Sequence, residues 1–405
     1  MNIIKLAWDN LWYNKTRTIL NMILIIVSFV SLMLISGYNN YSKEGIITSI
    51  NTSGGSVVIA DKSYWNSESE KINMLNNSDF EILYKKLKTI NEVNDYQKKL
   101  DISGLIGNES KSKFFSGYAY ENVSKVMSSV LLKNGTPIFD DDVDTMALGL
   151  DLGKYFNINY DETPYLNLMT DFGDGITLGS LMAVCSISLN NNYADAVTIY
   201  CPINAMYDVF GLEQGNAHSL LVYLKDYYKA TEIKNSLNEY FNSNNLNYEA
   251  KDWKDLNAFL LSVIDMNNNN YLIALSVLSI LVFVSVMQIL TTNFLERLNE
   301  FGTMRALGIN IKNVTLLLFL EIIIMALLSS VISIIISYGI SNILSMLNIT
   351  MKFPGATDGF PLILLLTLKD TVLVFVWVLG VSILAGVYPI IKVIRMPIIE
   401  VIKYV

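Results

Sequence analysis

The chain has 405 residues, 52% of them hydrophobic, and a mean hydropathy of +0.38, too apolar for an ordinary soluble enzyme. A formal charge of −8 argues against nucleic acid, whose phosphates demand a basic face, and a single histidine leaves no His/Cys cluster for zinc. The apolar residues concentrate at the two ends and flank a polar middle.

Residues 1–17 place Ile4, Trp8, Leu11 and Trp12 on one helical face, with Lys5 and Asp9 off it. This predicts an amphipathic helix on the bilayer surface, its tryptophans at headgroup level. The run Ile19–Gly37 matches the roughly 20 apolar residues that cross a bilayer and sets a first span at 18–37. It is longer than the apolar core of a signal peptide, and Tyr38-Asn39-Asn40-Tyr41 offers no small-residue cleavage site, so it reads as a retained anchor.

Residues 38–270 form the polar middle. The first helix is predicted to continue through Tyr41–Ile50 and to break at Gly54-Gly55, where Ser56–Ala60 begins as a strand. Ser78 reads as the N-cap of a helix over 79–90, with Asp79 and Glu81 in the first turn and Lys85, Lys86 and Lys88 later. Strand patterns follow at 112–119, 145–150, 176–188 and 195–201. A helix is predicted at 203–211, a strand at Ser219–Leu224 and a helix at Lys229–Asn242, so the middle is a large α+β domain. The tracts Asn190–Asn192 and Asn267–Asn270 read as polar linkers without a chemical role. A hairpin centred near Tyr193 would set Cys185 and Cys201 opposite one another and permit a disulfide; two free, buried thiols are the alternative, in keeping with the usual behaviour of cysteine.

Three more spans follow at 271–292, 314–340 and 371–391, separated by a loop at 293–313 and a short loop at 341–370, with a tail at 392–405. The fold class is therefore membrane α-helical, four transmembrane helices in a 1+3 arrangement around an α+β domain, without the inverted repeat of secondary transporters. The four arginines, Arg17, Arg297, Arg305 and Arg395, all lie beside hydrophobic ends, whereas 38–270 holds 18 Lys, no Arg and 30 acids. The positive-inside rule puts both termini and the 293–313 loop in the cytoplasm, and 38–270 outside it. Small residues cluster in the third span (Ser329, Ser330, Ser333, Ser337, Gly339) and the fourth (Gly380, Ser382, Gly386), for helix packing within the subunit or against a second one. Glu321 is the ionisable residue inside an apolar run, about two turns from the cytoplasmic boundary, where it can snorkel or bond to the loop.

That loop carries the most specific stretch, Glu296-Arg297-Leu298-Asn299-Glu300-Phe301-Gly302-Thr303-Met304-Arg305-Ala306-Leu307-Gly308. Its opening is a short charged helix with Glu296 and Glu300 at i, i+4. Phe301, Met304 and Leu307 then form an apolar ridge suited to a groove on a partner protein. The pattern closely resembles the E-R-x-x-E-x-G-x-x-R-A-L-G signature of FtsX/MacB-type ABC transporter permeases. Residues 3–20, Tyr388-Pro389-Ile390-Ile391-Lys392 and Met396–Ile402 resemble that family's start and ending, and Asp140–Ile158 its acidic turn, strand and helix. Asn299, Ile390 and Lys392 depart from the family pattern without disturbing the ridge.

The resemblance implies a MacB-like periplasmic-core domain at 38–270 and a non-catalytic permease in the bacterial cytoplasmic (inner) membrane, in contact with membrane lipid. It implies a dimer with an identical or different second permease, and two copies of a separate ABC ATPase subunit. Glu296, Arg297, Glu300, Phe301, Gly302, Met304, Arg305, Leu307 and Gly308 would be the ATPase-coupling segment of a mechanotransmission device. No cofactor is implied in this chain; ATP and Mg would be bound by the partner. In agreement, the chain has no G-x-x-x-x-G-K-[ST] phosphate loop, and the string Gly107-Asn108-Glu109-Ser110-Lys111 lacks the spacing. The ATPase domain fused in MacB is likewise not expected here. Ser53–Trp65 resembles a strand of the LolC/LolE-like subgroup, which implies lipoprotein release with a lipoprotein substrate. A periplasmic chaperone would go with that reading; MacB-like export of a peptide, antibiotic or other amphiphile, with a periplasmic adaptor, and FtsX-like control of a cell-wall hydrolase stay open beside it.

Overall fold

The computed structural model describes residues 3–13, 15–66, 72–172, 175–297, 303, 310–347, 349–351 and 360–395. In chain order the elements begin with α1 (Ile3–Tyr13), α2 (Lys15–Gly54), β1 (Val57–Asp61), α3 (Lys62–Trp65), α4 (Asn77–Leu87), β2 (Val93–Gly107) and β3 (Ser112–Tyr120). They continue with α5 (Val123–Met127), β4 (Leu131–Gly135), β5 (Thr145–Gly149), α6 (Leu150–Phe156), β6 (Tyr165–Asp171), β7 (Ile176–Ser188), α7 (Asn192–Val197) and β8 (Thr198–Pro202). The last are α8 (Ile203–Asp208), β9 (Ser219–Leu224), α9 (Ala230–Ser243), β10 (Tyr248–Asp252), α10 (Trp253–Leu256), α11 (Ala258–Glu296), α12 (Ile311–Leu347) and α13 (Leu368–Arg395). The chain divides into two compact units, 1–44 with 262–350 and 361–405, and 45–261 with 351–360.

Among the described residues, 4 helices are long and apolar enough to cross a membrane, within α2, α11, α12 and α13. In the first unit Ile25, Phe29 and Met33 of α2, Val286 and Leu290 of α11, Leu318 and Met325 of α12 and Val378 of α13 share one apolar core. Lipid tails are as apolar as these side chains, so association relies on close packing rather than on a hydrophobic difference. Gly386 shows how close: a Cβ there would stand 2.2 Å from Ile322 Cδ1. Ser329, Ser330, Ser333, Ser337 and Ser382 are wholly buried within the chain, so these small residues pack inside the subunit. Gly339 and Gly380, by contrast, face open space.

Polar side chains tie the helices together near the C-terminal part of α2. Asn39 donates to Asn268 Oδ1 (3.2 Å), Asn267 to Ser42 Oγ (3.3 Å), and Asn40 to Asp370 Oδ2 (2.6 Å) at the start of α13. The asparagine tract at 267–270, expected as a linker without a role, is therefore helical and bonded. Cross-helix partners for the amides override the local turn preference.

The second unit is built on a 10-stranded sheet in the order β10-β1-β9-β2-β3-β8-β5-β7-β4, with β6 pairing both β2 and β7. The pairings β2–β3–β8–β5–β7–β6–β2 thus close a circuit. Closure needs long strands with two sets of neighbours: β2 pairs β9 through its first half, then β3 and β6 through its second. It also needs close backbone approach, since a Cβ on Gly104 of β2 would lie 1.9 Å from the Met169 carbonyl oxygen of β6. Strands β1, β5, β8 and β9 are buried along their whole length, as strands covered on both faces are. One cover is α9, which buries Ala230, Ile233, Leu237 and Phe241 at helical spacing and packs on β10 and β1.

Several local expectations change. The helix after Ser78 starts earlier, because Asn76 accepts from Ser78 N and Asp79 N while Asp79 reaches back to Asn76 N, a complete capping box. The strand expected at 195–201 begins only at Thr198. Ahead of it, Asn191 caps α7, and the buried Asp195 accepts from Ser188 Oγ (3.0 Å) and Leu189 N (2.6 Å). That helical crossover replaces the hairpin predicted around Tyr193, and β5 lies between β7 and β8. Cys185 and Cys201 are therefore two strands apart, about 9–10 Å at ordinary strand spacing and too far to bridge. Both are free and buried.

Burial pushes the Cys185 thiol up to about 12 and raises that of Cys201 as well. Both thiols are expected to resist maleimide near neutral pH in the native protein and to react on denaturation. Mass spectrometry of labelled protein, reduced and unreduced, checks this; a 185–201 linked peptide would contradict the strand order.

Candidate functional site

Three elements of the membrane unit converge at one point. α1 supplies Asn10, the residue after the end of α11 is Arg297, and α12 supplies Glu321 three turns from its start. Glu321 is 6% exposed. An unpaired charge there would be expensive, in hydrocarbon or in a protein core. Among the described residues both of its carboxylate oxygens have donors: Asn10 Nδ2 gives a hydrogen bond to Oε1 at 2.8 Å, and Arg297 Nη1 forms an ion pair with Oε2 at 2.9 Å. Of the two sequence expectations for Glu321, snorkelling and a bond to the loop, the structure gives the bond.

The surroundings are polar on a small scale. Thr18 of α2 donates to the Leu11 carbonyl at 2.6 Å, which holds the turn between α1 and α2. Asn21 of α2 is 6% exposed and its Oδ1 has no hydrogen-bond partner among the described residues. These groups, with Leu290, Phe294, Ile322 and Met325, line a cavity of about 50 Å³ beside the ion pair. The α1 face also departs from expectation: Ala7 and Leu11 are buried, whereas Ile4, Trp8 and Trp12 are 63%, 44% and 39% exposed. Leu11 thus faces the bundle, and the tryptophans stay available for a bilayer surface.

Of the predicted coupling residues, Glu296 closes α11 and Arg297 follows it. Glu300, Phe301, Gly302, Met304, Arg305, Leu307 and Gly308 lie outside the described residues. Asn10 was not singled out by the sequence. An asparagine on an amphipathic helix has no signal of its own, and its partner lies 311 positions away.

A second polar cluster belongs to the other unit. Tyr64 donates to Asp101 Oδ2, Lys99 pairs with Asp101 Oδ1 at 2.9 Å, and the Asp101 backbone N–H donates to His218 Nδ1 at 3.1 Å. The last bond requires a lone pair on Nδ1, hence a neutral imidazole with its proton on Nε2. Burial lowers the His218 pKa, with Asp101 opposing in part. Burial would raise Asp101, but Lys99, Tyr64 and His218 outweigh it and hold the carboxyl below its ordinary value.

Four bilayer-length helices, one before and three after a sheet domain, with a buried ion pair at the end of the second span, define a multi-span membrane protein of 1+3 layout. Its last three spans match a known family: residues 272–398 match the family model described as FtsX-like permease C-terminal. No curated protein matches the chain. Among solved structures, the periplasmic region of MacB from Actinobacillus actinomycetemcomitans is 15% identical, covering 52% of this chain and 94% of that one at TM-score 0.38. The extracellular domain of the noncanonic ABC-type transporter YknZ from Gram-positive bacteria is 10% identical, covering 48% and 99% at TM-score 0.35. Likeness at this level is distant and carries no functional weight.

Two outcomes are expected. Glu321→Ala leaves Arg297 buried without that partner, and stability should fall by about 3–5 kcal/mol, the usual result of halving a buried pair; denaturant titration in micelles measures it. For His218, a folded pKa below the unfolded value near 6.5 means that the unfolded chain binds more protons between the two. Its contribution is complete above about 6.5 and is lost as pH falls toward the folded value. His218→Gln should flatten that part of the stability profile, while Asp101 acts only in more acidic solution, below its unfolded value near 3.9.

Proposed function

We propose that this chain is the membrane-spanning, non-catalytic subunit of an ATP-driven ABC-type transporter that works by mechanotransmission. The observation that carries the reading is the FtsX-like permease match over 272–398. It contains the whole charged motif that opens with Glu296 and Arg297 at the end of α11. In this reading two copies of a separate ATPase bind ATP and Mg, and the segment from Glu296 to Gly308 docks on them. Phe301, Met304 and Leu307 supply its apolar ridge, and Glu300 and Arg305 its charged contacts.

The arginine distribution supports a cytoplasmic location for both termini and this segment, in the bacterial cytoplasmic membrane, with the sheet domain on the other side. A second permease copy, identical or related, completes the complex. Within this class the reading is release of lipoproteins from the membrane, supported by the likeness of Ser53–Trp65 to the corresponding strand of LolC/LolE-like permeases.

Replacing Glu300 or Arg305 by Ala should cut permease-dependent ATP turnover at least tenfold while insertion and dimer assembly are retained. Turnover in nanodiscs with the ATPase subunit measures this, and wild-type coupling in both variants would remove the assignment. Lipoprotein copurified with the complex and identified by mass spectrometry is the expected mark of the substrate class.

A further inference from the structure

We propose that Glu321 is a positioning residue that binds α1 and the root of the coupling segment to α12, so that the N-terminal helix moves with the segment. The inference rests on the coupling function proposed above for the segment that follows Arg297. It adds a moving part that this function does not require, namely α1.

The geometry is specific. Glu321 uses one oxygen for Asn10 on α1 and the other for Arg297, directly after the last residue of α11. A single carboxylate on α12 therefore fixes two elements that are distant in sequence. The contact is buried, with the Arg297 and Glu321 side chains 15% and 7% exposed, so water and salt screen it little. α1 has a second attachment through Leu11, which sits in the apolar core shared by the four spans. Its other face, Ile4, Trp8 and Trp12, is exposed and suited to a bilayer surface. A displacement of the segment that begins at Arg297 must then either carry α1 along or break a charge-assisted hydrogen bond in a poorly hydrated site. The small cavity beside the pair, with Asn21 Oδ1, unpartnered among the described residues, on its wall, gives the side chains local room to shift without repacking the bundle.

The test uses the full chain in lipid nanodiscs, alone and with its ATPase subunit. In the permease alone, hydrogen–deuterium exchange over 3–13 should accelerate at least tenfold in Glu321→Ala. With the ATPase present, permease-dependent ATP turnover should fall at least tenfold in Glu321→Ala. The exchanged pair Arg297→Glu/Glu321→Arg should bring both readouts back to within about threefold of wild type, because the Asn10 amide can turn its oxygen toward the new guanidinium. Recovery of that kind separates positioning from bulk packing. If the exchanged pair does not fold, Asn10→Ala decides: it leaves the ion pair intact and should loosen α1 and lower turnover together. Unchanged exchange in Glu321→Ala overturns the clasp. Faster exchange with wild-type turnover overturns the positioning role. A folded exchanged pair that restores neither readout overturns the pairing. If the wild-type chain itself alters no ATPase turnover, the coupling function fails and the positioning role fails with it, while the exchange readout still reports the clasp separately.

Discussion

A carboxylate among apolar helices is tolerable only when its charge is answered on the spot, and among the described residues Glu321 meets both a cation and a neutral donor. Arg297 supplies the opposite charge and Asn10 a neutral donor, and each comes from a different element. The requirement is stringent, because desolvation of two ions is repaid only by good geometry and by satisfaction of the remaining lone pairs. It follows that α1 and the residue after the second span are both held to α12 by polar chemistry and not by apolar contact alone. The apolar core of the bundle supplies cohesion but little register, since lipid competes with it on equal terms. Register comes from polar pairs: the Glu321 cluster beside α1, and the asparagine contacts of α2 with α11 and α13.

The sheet domain follows a similar logic in water. Its core strands are buried end to end, so they depend on covering helices, and the closed strand circuit removes edges that would otherwise be left unpaired. Buried polar groups inside it are again tied locally, Asp195 to Ser188 and Leu189, and Asp101 to Tyr64, Lys99 and His218. The single histidine is held neutral by a backbone donor, a structural use of a residue that composition alone leaves without a role.

The four spans were legible in the chain because bilayer thickness imposes a minimum apolar run, and a soluble fold rarely needs an apolar stretch that long. Ser219–Leu224, the buried strand at 145–149 and the strand at 176–188, buried in its second half, were legible for a related reason, as continuous apolar or β-branched stretches. The charged segment after Arg297 was legible through residue type and spacing, and it led to the family that the match over 272–398 then supported. Strands β2, β4, β6 and β10 were not, since their residues are mixed in polarity and their burial runs from wholly exposed in β4 to buried and half-buried in β10, and only neighbouring strands make them regular.

What the sequence by itself determined, then, is whatever depends on local composition and period: the spans, the fully buried strands, the charge asymmetry and the motif. The tertiary structure decided which distant residues meet. β5 passes between β7 and β8 and keeps Cys185 and Cys201 apart, although only 15 residues separate them along the chain. Asn10 reaches Glu321 across 311 positions, and no local pattern encodes that contact. Hydrogen bonds and ion pairs are short-ranged in space but indifferent to distance along the chain, so their partners appear only once the helices and strands are packed.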